Sequence, residues 1–467
     1  MQAHRGRALT VTSTDALRRT FPLGPLQEQI WRFWRQNPQS SAYIMPEVYF
    51  FDGEFDVRAA EYALHETARR HEALRTTFHE SDSGVVQVVS DDPALVPVEV
   101  LDLRGLAAPE QAERLESAVS AAANLPFDLA ARPAIRVIAI LLSDSRTGLV
   151  ITVHQIVCDG TSIAIALDDF GELYRSARRG SPAELGPVPP GYGAFVTEQL
   201  AALAGGAAGE DREYWAEQLA GATGSALPAD SLAGTGDSAT FDTYPLYSTL
   251  DPQLAEAVWA HARGARSTPF AILLCTMGVM IAATTGDGDV VIGTATSSRS
   301  PRYARTVGML TNMVVARSRI ELSGTFADAL DEVKLDLLDA IDHQELPFGR
   351  LVNELSAAGA QGGAGLVRTT FSAGTIGGLR LGEGSLSERV FRSSQGPFEL
   401  AVVCEITTAG IALDWEFGLR SYSPELARDY CAAYQQILET LLQAPDAAMD
   451  SLGLTGIVGS AAPVRTE

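Results

Sequence analysis

Between residues 149 and 174 the hydrophobic pattern changes its period. Leu149, Val150, Ile151 and Thr152 form an unbroken apolar and β-branched run, the pattern of a buried strand. From Ile163 onward, Ala166, Leu167, Phe170, Leu173 and Tyr174 recur at helical spacing. Between them lies the turn His154-Gln155-Ile156-Val157-Cys158-Asp159-Gly160-Thr161-Ser162. Asp159, Thr161 and Ser162 are each suited to cap a helix N-terminus. The pattern therefore predicts strand, turn and helix in succession, with His154, Gln155 and Asp159 on the turn. Free backbone N–H groups at such a turn favour developing negative charge. Gly160 lets a substrate or another backbone approach closely.

The rest of the chain follows the same logic. Pro25 opens a helix whose apolar positions are Leu26, Ile30, Phe33 and Trp34. Residues 48–51 read as a strand and 57–70 as a helix. A hairpin turn at Asp82-Ser83-Gly84 leads into a strand over 85–89. A strand over 134–142 pairs, through a turn at 143–148, with the strand that carries His154. Pro and Gly crowd residues 180–193, which read as a connection between two lobes. Beyond it, 210–219 predicts a helix, 221–240 a loop, 244–250 a strand, 251–263 and 268–283 helices, and 290–294 a strand. Residues 356–365 form an Ala/Gly loop, 401–406 and 411–417 strands, and 423–442 a closing helix. The expected division is a frayed N-terminus (1–19), a first lobe (20–179), the connection (180–193), a second lobe (194–450) and a disordered tail (451–467).

Composition narrows the function. A chain of 467 residues suits two domains, each able to bury a sizeable core. A net charge of −23 argues against charge-driven binding to nucleic acid or to an anionic membrane. An acidic partner would need a local basic patch. Cys158, Cys275, Cys404 and Cys431 are far apart, which suggests reduced thiols in the cytoplasm. Cys158 reads either as a thiol nucleophile or, between apolar neighbours, as a small core residue. The first twenty residues hold no apolar signal core. The longest apolar run, 270–283, is too short to span a bilayer and reads as a buried core helix. The seven histidines show no metal-ligand spacing, so no metal site is expected.

The turn His154-Gln155-Ile156-Val157-Cys158-Asp159-Gly160 resembles the His-His-x-x-x-Asp-Gly motif of nonribosomal peptide synthetase condensation domains and the chloramphenicol acetyltransferase superfamily. Here glutamine stands in place of the second histidine. Further stretches resemble the same family, in family order: residues 21–31 from Phe21 to Trp31, Arg70-His71-Glu72-Ala73-Leu74-Arg75-Thr76-Thr77-Phe78, Pro126-Phe127-Asp128-Leu129, Tyr192-Gly193-Ala194-Phe195, the strand and loop up to Arg299, the stretch from Gly308 to Asn312, and His343-Gln344-Glu345-Leu346-Pro347-Phe348. The resemblance implies an α/β fold with mixed sheets. Two chloramphenicol acetyltransferase-like lobes would form a V around an active-site tunnel.

It also implies a reaction. Condensation domains pass an acyl group from a thioester on a carrier protein's phosphopantetheine arm to an acceptor. For this chain the expected acceptor is an amine, free or carrier-bound, and the expected bond is an amide. No cofactor of its own is implied; the phosphopantetheine arm of an acyl or peptidyl carrier protein is substrate. No nucleic acid or membrane partner is expected. Gln155, His154 and Gly160 are the expected catalytic positions. Asp159 and Arg299 are expected to pair, bridging the lobes or bracing the turn, and Thr161, Ser162 and Asn312 to contact substrate. Gln155 cannot titrate, so it cannot be a general base, but its amide can orient an amine or donate to an oxygen. Relatives that cyclise carry Asp where this chain has His154, so cyclisation is not implied. Two readings stand: a stand-alone condensation enzyme with an altered site, or a non-catalytic module that docks a carrier protein or recruits a tailoring enzyme.

Overall fold

The computed structural model describes residues 19–82, 84–230, 241–357, 365–374, 379–382, 385–389 and 394–459. The first lobe runs β1 (Arg19–Pro22), α1 (Pro25–Gln36), β2 (Ile44–Asp52), α2 (Val57–Arg70), β3 (Thr76–Ser81), β4 (Gly84–Val89), β5 (Val98–Asp102), α3 (Ala108–Asn124), β6 (Ile135–Ser143), β7 (Arg146–His154) and α4 (Gly160–Arg179). Helices α5 (Tyr192–Ala204) and α6 (Gly209–Gln218) lead to the second lobe. That lobe contains β8 (Thr243–Thr249), α7 (Pro252–Gly264), α8 (Pro269–Thr285), β9 (Asp289–Ser297), β10 (Thr311–Arg319), α9 (Phe326–Asp342), α10 (Phe348–Ala357) and β11 (Thr369–Ala373). It closes with β12 (Ser385–Arg389), β13 (Leu400–Thr407), β14 (Gly410–Gly418), α11 (Pro424–Gln443) and α12 (Leu454–Gly459).

The main sheet of the first lobe has the order β12-β2-β7-β6-β5, with β5 parallel to β6 and the other pairs antiparallel. Strand β7 is buried from Thr147 to His154. One face, with Leu149, Ile151 and Val153, joins the core that holds α2 and α4. The other, with Val150, packs with Val119 and Ala122 of α3. Covered faces on both sides explain its unbroken apolar run. The second lobe is a mixed six-stranded sheet, β10-β9-β11-β13-β14-β8. Helix α8 buries every residue from Ala271 to Ala283, as the apolar run predicts. No single helix among the described residues is long and apolar enough to cross a membrane.

Two segments of the second lobe enter the first, which the sequence pattern does not predict. Strand β12 pairs with β2, Ser385 opposite Asp52 through Arg389 opposite Val48. Just before it, Leu379 and Leu381 are buried in the first lobe's core. Gly171 of α4 lets this segment approach, since a Cβ there would press on the Arg380 carbonyl. The second intruder is the β9–β10 loop, a strap that places Tyr303, Val307, Met309 and Leu310 in the same core.

Two further expectations need correction. The connection expected over 180–193 ends two residues sooner, because α5 begins at Tyr192: Gly191 N-caps that helix and Glu72 accepts the Gly193 N–H at 3.0 Å. The expected disordered tail begins with structure: Leu454 is buried in the second core, within the short helix α12. Residues 1–18 and 460–467 lie outside the described residues.

Candidate functional site

The motif turn is built at the end of β7. His154 N–H donates to Ala134 O at 2.9 Å and Gln155 N–H to Tyr43 O at 2.8 Å. The chain then makes one 3₁₀ turn, Gln155–Val157, before α4. Gln27, fully buried on α1, supports this turn by donating to Ile156 O at 2.8 Å. His154 is buried, and its Nδ1 accepts the Ile156 N–H at 3.2 Å. The ring proton of the neutral imidazole therefore sits on Nε2. The ring meets Phe127 edge-on, with Tyr43 on another side. Burial, with Arg136 nearby, lowers its pKa to about 3, so His154 is neutral at physiological pH. Gln155 is half-buried, and its side-chain amide makes no hydrogen bond among the described residues.

His154 thus carries a pH signature. Below pH ~6.5 an unfolded histidine binds a proton that folded His154 refuses, so stability falls as pH drops, by up to about 1.4 kcal/mol per unit. His154→Asn keeps an acceptor for the Ile156 N–H and removes the titration. Urea unfolding at pH 6 and pH 5 should show a smaller acid loss in the variant than in the wild type. Equal losses would mean that His154 is not held neutral.

Asp159 is the second anchor. Its carboxylate caps α4 by accepting the Ser162 N–H at 2.8 Å. It accepts from the two terminal Arg299 nitrogens, Nη2 at 2.7 Å and Nη1 at 3.0 Å, and from the Leu310 N–H at 2.8 Å. The pair is buried, with side-chain exposures of 7% for Arg299 and 1% for Asp159. Arg299 and Leu310 belong to the strap, so this carboxylate ties the second lobe to the head of α4. The Ser162 hydroxyl accepts from Arg299 at 2.6 Å and from Gly308 N–H at 3.0 Å, and donates to Gly308 O at 2.8 Å. Further along α4, Asp169 accepts from Arg305 of the strap at 2.6 Å and from Arg70 at 2.7 Å. His71 Nε2 lies 2.8 Å from the same carboxylate. The Tyr192 hydroxyl donates to Met309 O at 3.0 Å, and its ring lies where a Cβ on Gly308 would stand.

The structure brings His154, Gln155, Asp159, Gly160, Thr161, Ser162 and Arg299 to one place. Gly160 is exposed, and a Cβ built there would meet no atom within 4 Å among the described residues beyond its own stretch of chain, so the space before α4 is open there. Thr161 is half-buried on the first turn of α4. Ser162 is fully buried with its hydroxyl committed to the strap. Asn312 belongs to a different construction. Its amide donates to Gln344 O at 2.9 Å and accepts from Phe348 N–H at 3.0 Å, pinning the 343–348 turn. The space beside it, lined by Gly24, Tyr192, Phe195, Met309 and Pro347, holds about 10 Å³, at the lower limit for one water. Cys158 is buried, and burial with neighbouring Asp159 raises its thiol pKa well above the ordinary range, which keeps it protonated and un-nucleophilic. Gln27, Tyr43, Leu310 and Arg305 complete the site without any signal of their own in the hydrophobic pattern.

Residues 17–458 match the family model of the condensation domain. The chain belongs to the condensation domain family. It is 32% identical over 335 residues to chondramide synthase cmdD of Chondromyces crocatus, covering 72% of this chain and 8% of that protein. It is 28% identical over 447 residues to the phosphinothricin tripeptide synthetase PhsB of Streptomyces viridochromogenes, covering 93% of this chain and 36% of that one. The domain thus spans a minor part of the length of these curated relatives. Among solved structures it superposes on the SgcC5 protein of Streptomyces globisporus with a TM-score of 0.77 at 22% identity, over 91% of this chain and 100% of that one. The fold is accordingly the condensation-domain fold, of chloramphenicol acetyltransferase-like type. Its family works in nonribosomal peptide and natural-product synthesis, with carrier proteins and acceptor substrates.

Proposed function

We propose that this condensation domain transfers an acyl group from a carrier-protein thioester to an amine, in the cytoplasm, forming an amide. The observation that carries the reading is the clamp of Asp159 with Arg299 and Leu310, which holds the motif turn and the head of α4 in place although residue 155 is glutamine. In this reading the amine nitrogen attacks the thioester carbonyl, the C–S bond breaks, and the phosphopantetheine thiol leaves with the proton the amine gives up. The positive end of α4 at Gly160 stabilises the oxyanion. The amide of Gln155 orients the amine, and orientation alone contributes several kcal/mol. Mass spectrometry tests this: an acyl-loaded carrier protein mixed with free and carrier-bound amines should give amide product only when the domain is present. No product from any pair would overturn it.

A second reading is favoured by one observation. Gln155 cannot titrate and His154 is held neutral with Nδ1 occupied, so neither motif position is a ready base. A non-catalytic module that docks a carrier protein or recruits a tailoring enzyme would carry the same turn. Stable binding of such a partner, together with the absence of product, would select it.

A further inference from the structure

Tyr43 has a backbone φ of +71°, in the left-handed region. For a bulky residue that is a genuine outlier. The residue sits in a turn closed by Ile44 N–H donating to Ser41 O at 3.0 Å. Ala42, the other central residue, has no positive φ. Positive φ at the second central position alone is the type II arrangement, where Gly or Asn ordinarily stands. Tyrosine there works against its own backbone preference, and such strain persists only where the surroundings over-determine it.

Three sets of contacts do so. The Tyr43 carbonyl accepts the Gln155 N–H at 2.8 Å. The ring packs between Phe33, centroids 5.2 Å apart and nearly perpendicular, and His154, centroids 6.4 Å apart. The preceding residues are held by the second lobe: Ser40 Oγ and Ser41 N–H donate to Gln395 Oε1 at 2.7 and 2.9 Å, and Gln395 donates to Asp242 at 3.0 Å. Phe33 in turn meets Phe241 of that lobe at 4.7 Å. The chain from Ser40 to Tyr43 therefore runs from an inter-lobe clasp straight to Gln155, the second residue of the motif turn.

We propose that Tyr43 is a positioning residue for residue 155: its left-handed backbone aims the carbonyl that holds the Gln155 N–H, while its ring walls His154. The assignment to catalysis rests on the acyl-transfer reading above; the assignment to the turn does not. Glycine at position 43 would keep the backbone and lose the ring. Alanine would lose the ring and also carry the cost of positive φ. Comparing the two isolates the backbone.

Residue-resolved hydrogen exchange on Tyr43→Phe, Tyr43→Gly and Tyr43→Ala tests the structural part. The Gln155 amide should exchange about five- to tenfold faster in the alanine variant than in the glycine variant. It should be unchanged in the phenylalanine variant. The Phe78 amide, bonded to Leu129 O in the same lobe, should not move. Equal exchange in the glycine and alanine variants would overturn the inference, as would Phe78 rising in step with Gln155. With an acyl-carrier and amine pair that the wild type converts, kcat should fall in the alanine variant at constant KM and recover partly in the glycine variant. Equal kcat in all variants would overturn the positioning role. If the wild type makes no product, the acyl-transfer reading fails while the exchange arm still decides what Tyr43 does.

Discussion

Asp159→Ala is expected to destabilise the protein by about 3–5 kcal/mol, because it leaves the Arg299 guanidinium buried and uncompensated. The loss has three parts. Among the described residues, the Arg299 guanidinium then keeps the Ser162 hydroxyl and a long contact, at 3.5 Å, with Thr306 O. The Leu310 N–H loses its acceptor inside the core. Helix α4 loses its N-cap, which alone is worth about 1 kcal/mol. Arg299→Ala leaves Asp159 two backbone donors, Ser162 and Leu310, so it should cost less. The double variant should cost less than the sum of the singles, since each removes the charge that strands the other. Urea unfolding of the three variants reads all of this. Because the carboxylate joins the strap to the first lobe, Asp159→Ala should also separate the unfolding of the two lobes. An unshifted transition in Asp159→Ala would mean that the pair is solvated in solution.

The same residues show what the sequence makes legible. The change of period around residues 149–174 locates β7 and α4, because a doubly covered strand and a half-buried helix impose different spacings on the same apolar residues. Helix α8 is legible for a simpler reason: it is apolar all round because it is buried all round. Asp159 and Arg299 are 140 positions apart. No local pattern links them, and only the motif resemblance does. The resemblance implies a substrate contact at Ser162, yet the strap takes its hydroxyl, which cannot be seen before Gly308 is placed beside it. Asn312 is similar: its partners come from the 343–348 turn. Strand β12, Ser-Leu-Ser-Glu-Arg, has one apolar residue and no strand signal; it exists because β2 offers an open edge. Tyr43 is the hardest to foresee, since a tyrosine at a type II position contradicts local preference. Local rules fail where another lobe or the site dictates the backbone: β12 is set by the edge of β2, Asn312 by the 343–348 turn, and Tyr43 by the turn that carries Gln155.

Gln155→His should therefore be the most informative substitution in the chain. Its backbone is fixed independently of its side chain, by the Tyr43 carbonyl before it and by Gln27 on the following carbonyl. A histidine at 155 would enter a half-buried position whose side chain has no hydrogen-bonding commitment among the described residues, so the fold should tolerate it. Unlike His154, it would not begin fully buried, and an imidazole with a pKa near 6.5 could accept the amine's proton. General-base catalysis is typically worth about 10²–10⁴-fold. If the site lacks only its base, turnover of a verified acyl-carrier and amine pair should rise toward that range, and the gain should fade as pH falls below about 6.5. Gln155→Ala should slow turnover at an unchanged melting temperature, through loss of the orienting amide. A fall in rate with histidine would instead mean a site rebuilt around the amide, in which an imidazole cannot reproduce the two-sided donor and acceptor geometry of glutamine. Identical turnover in wild type, Gln155→His and Gln155→Ala would remove residue 155 from the mechanism and leave catalysis to proximity and the head of α4.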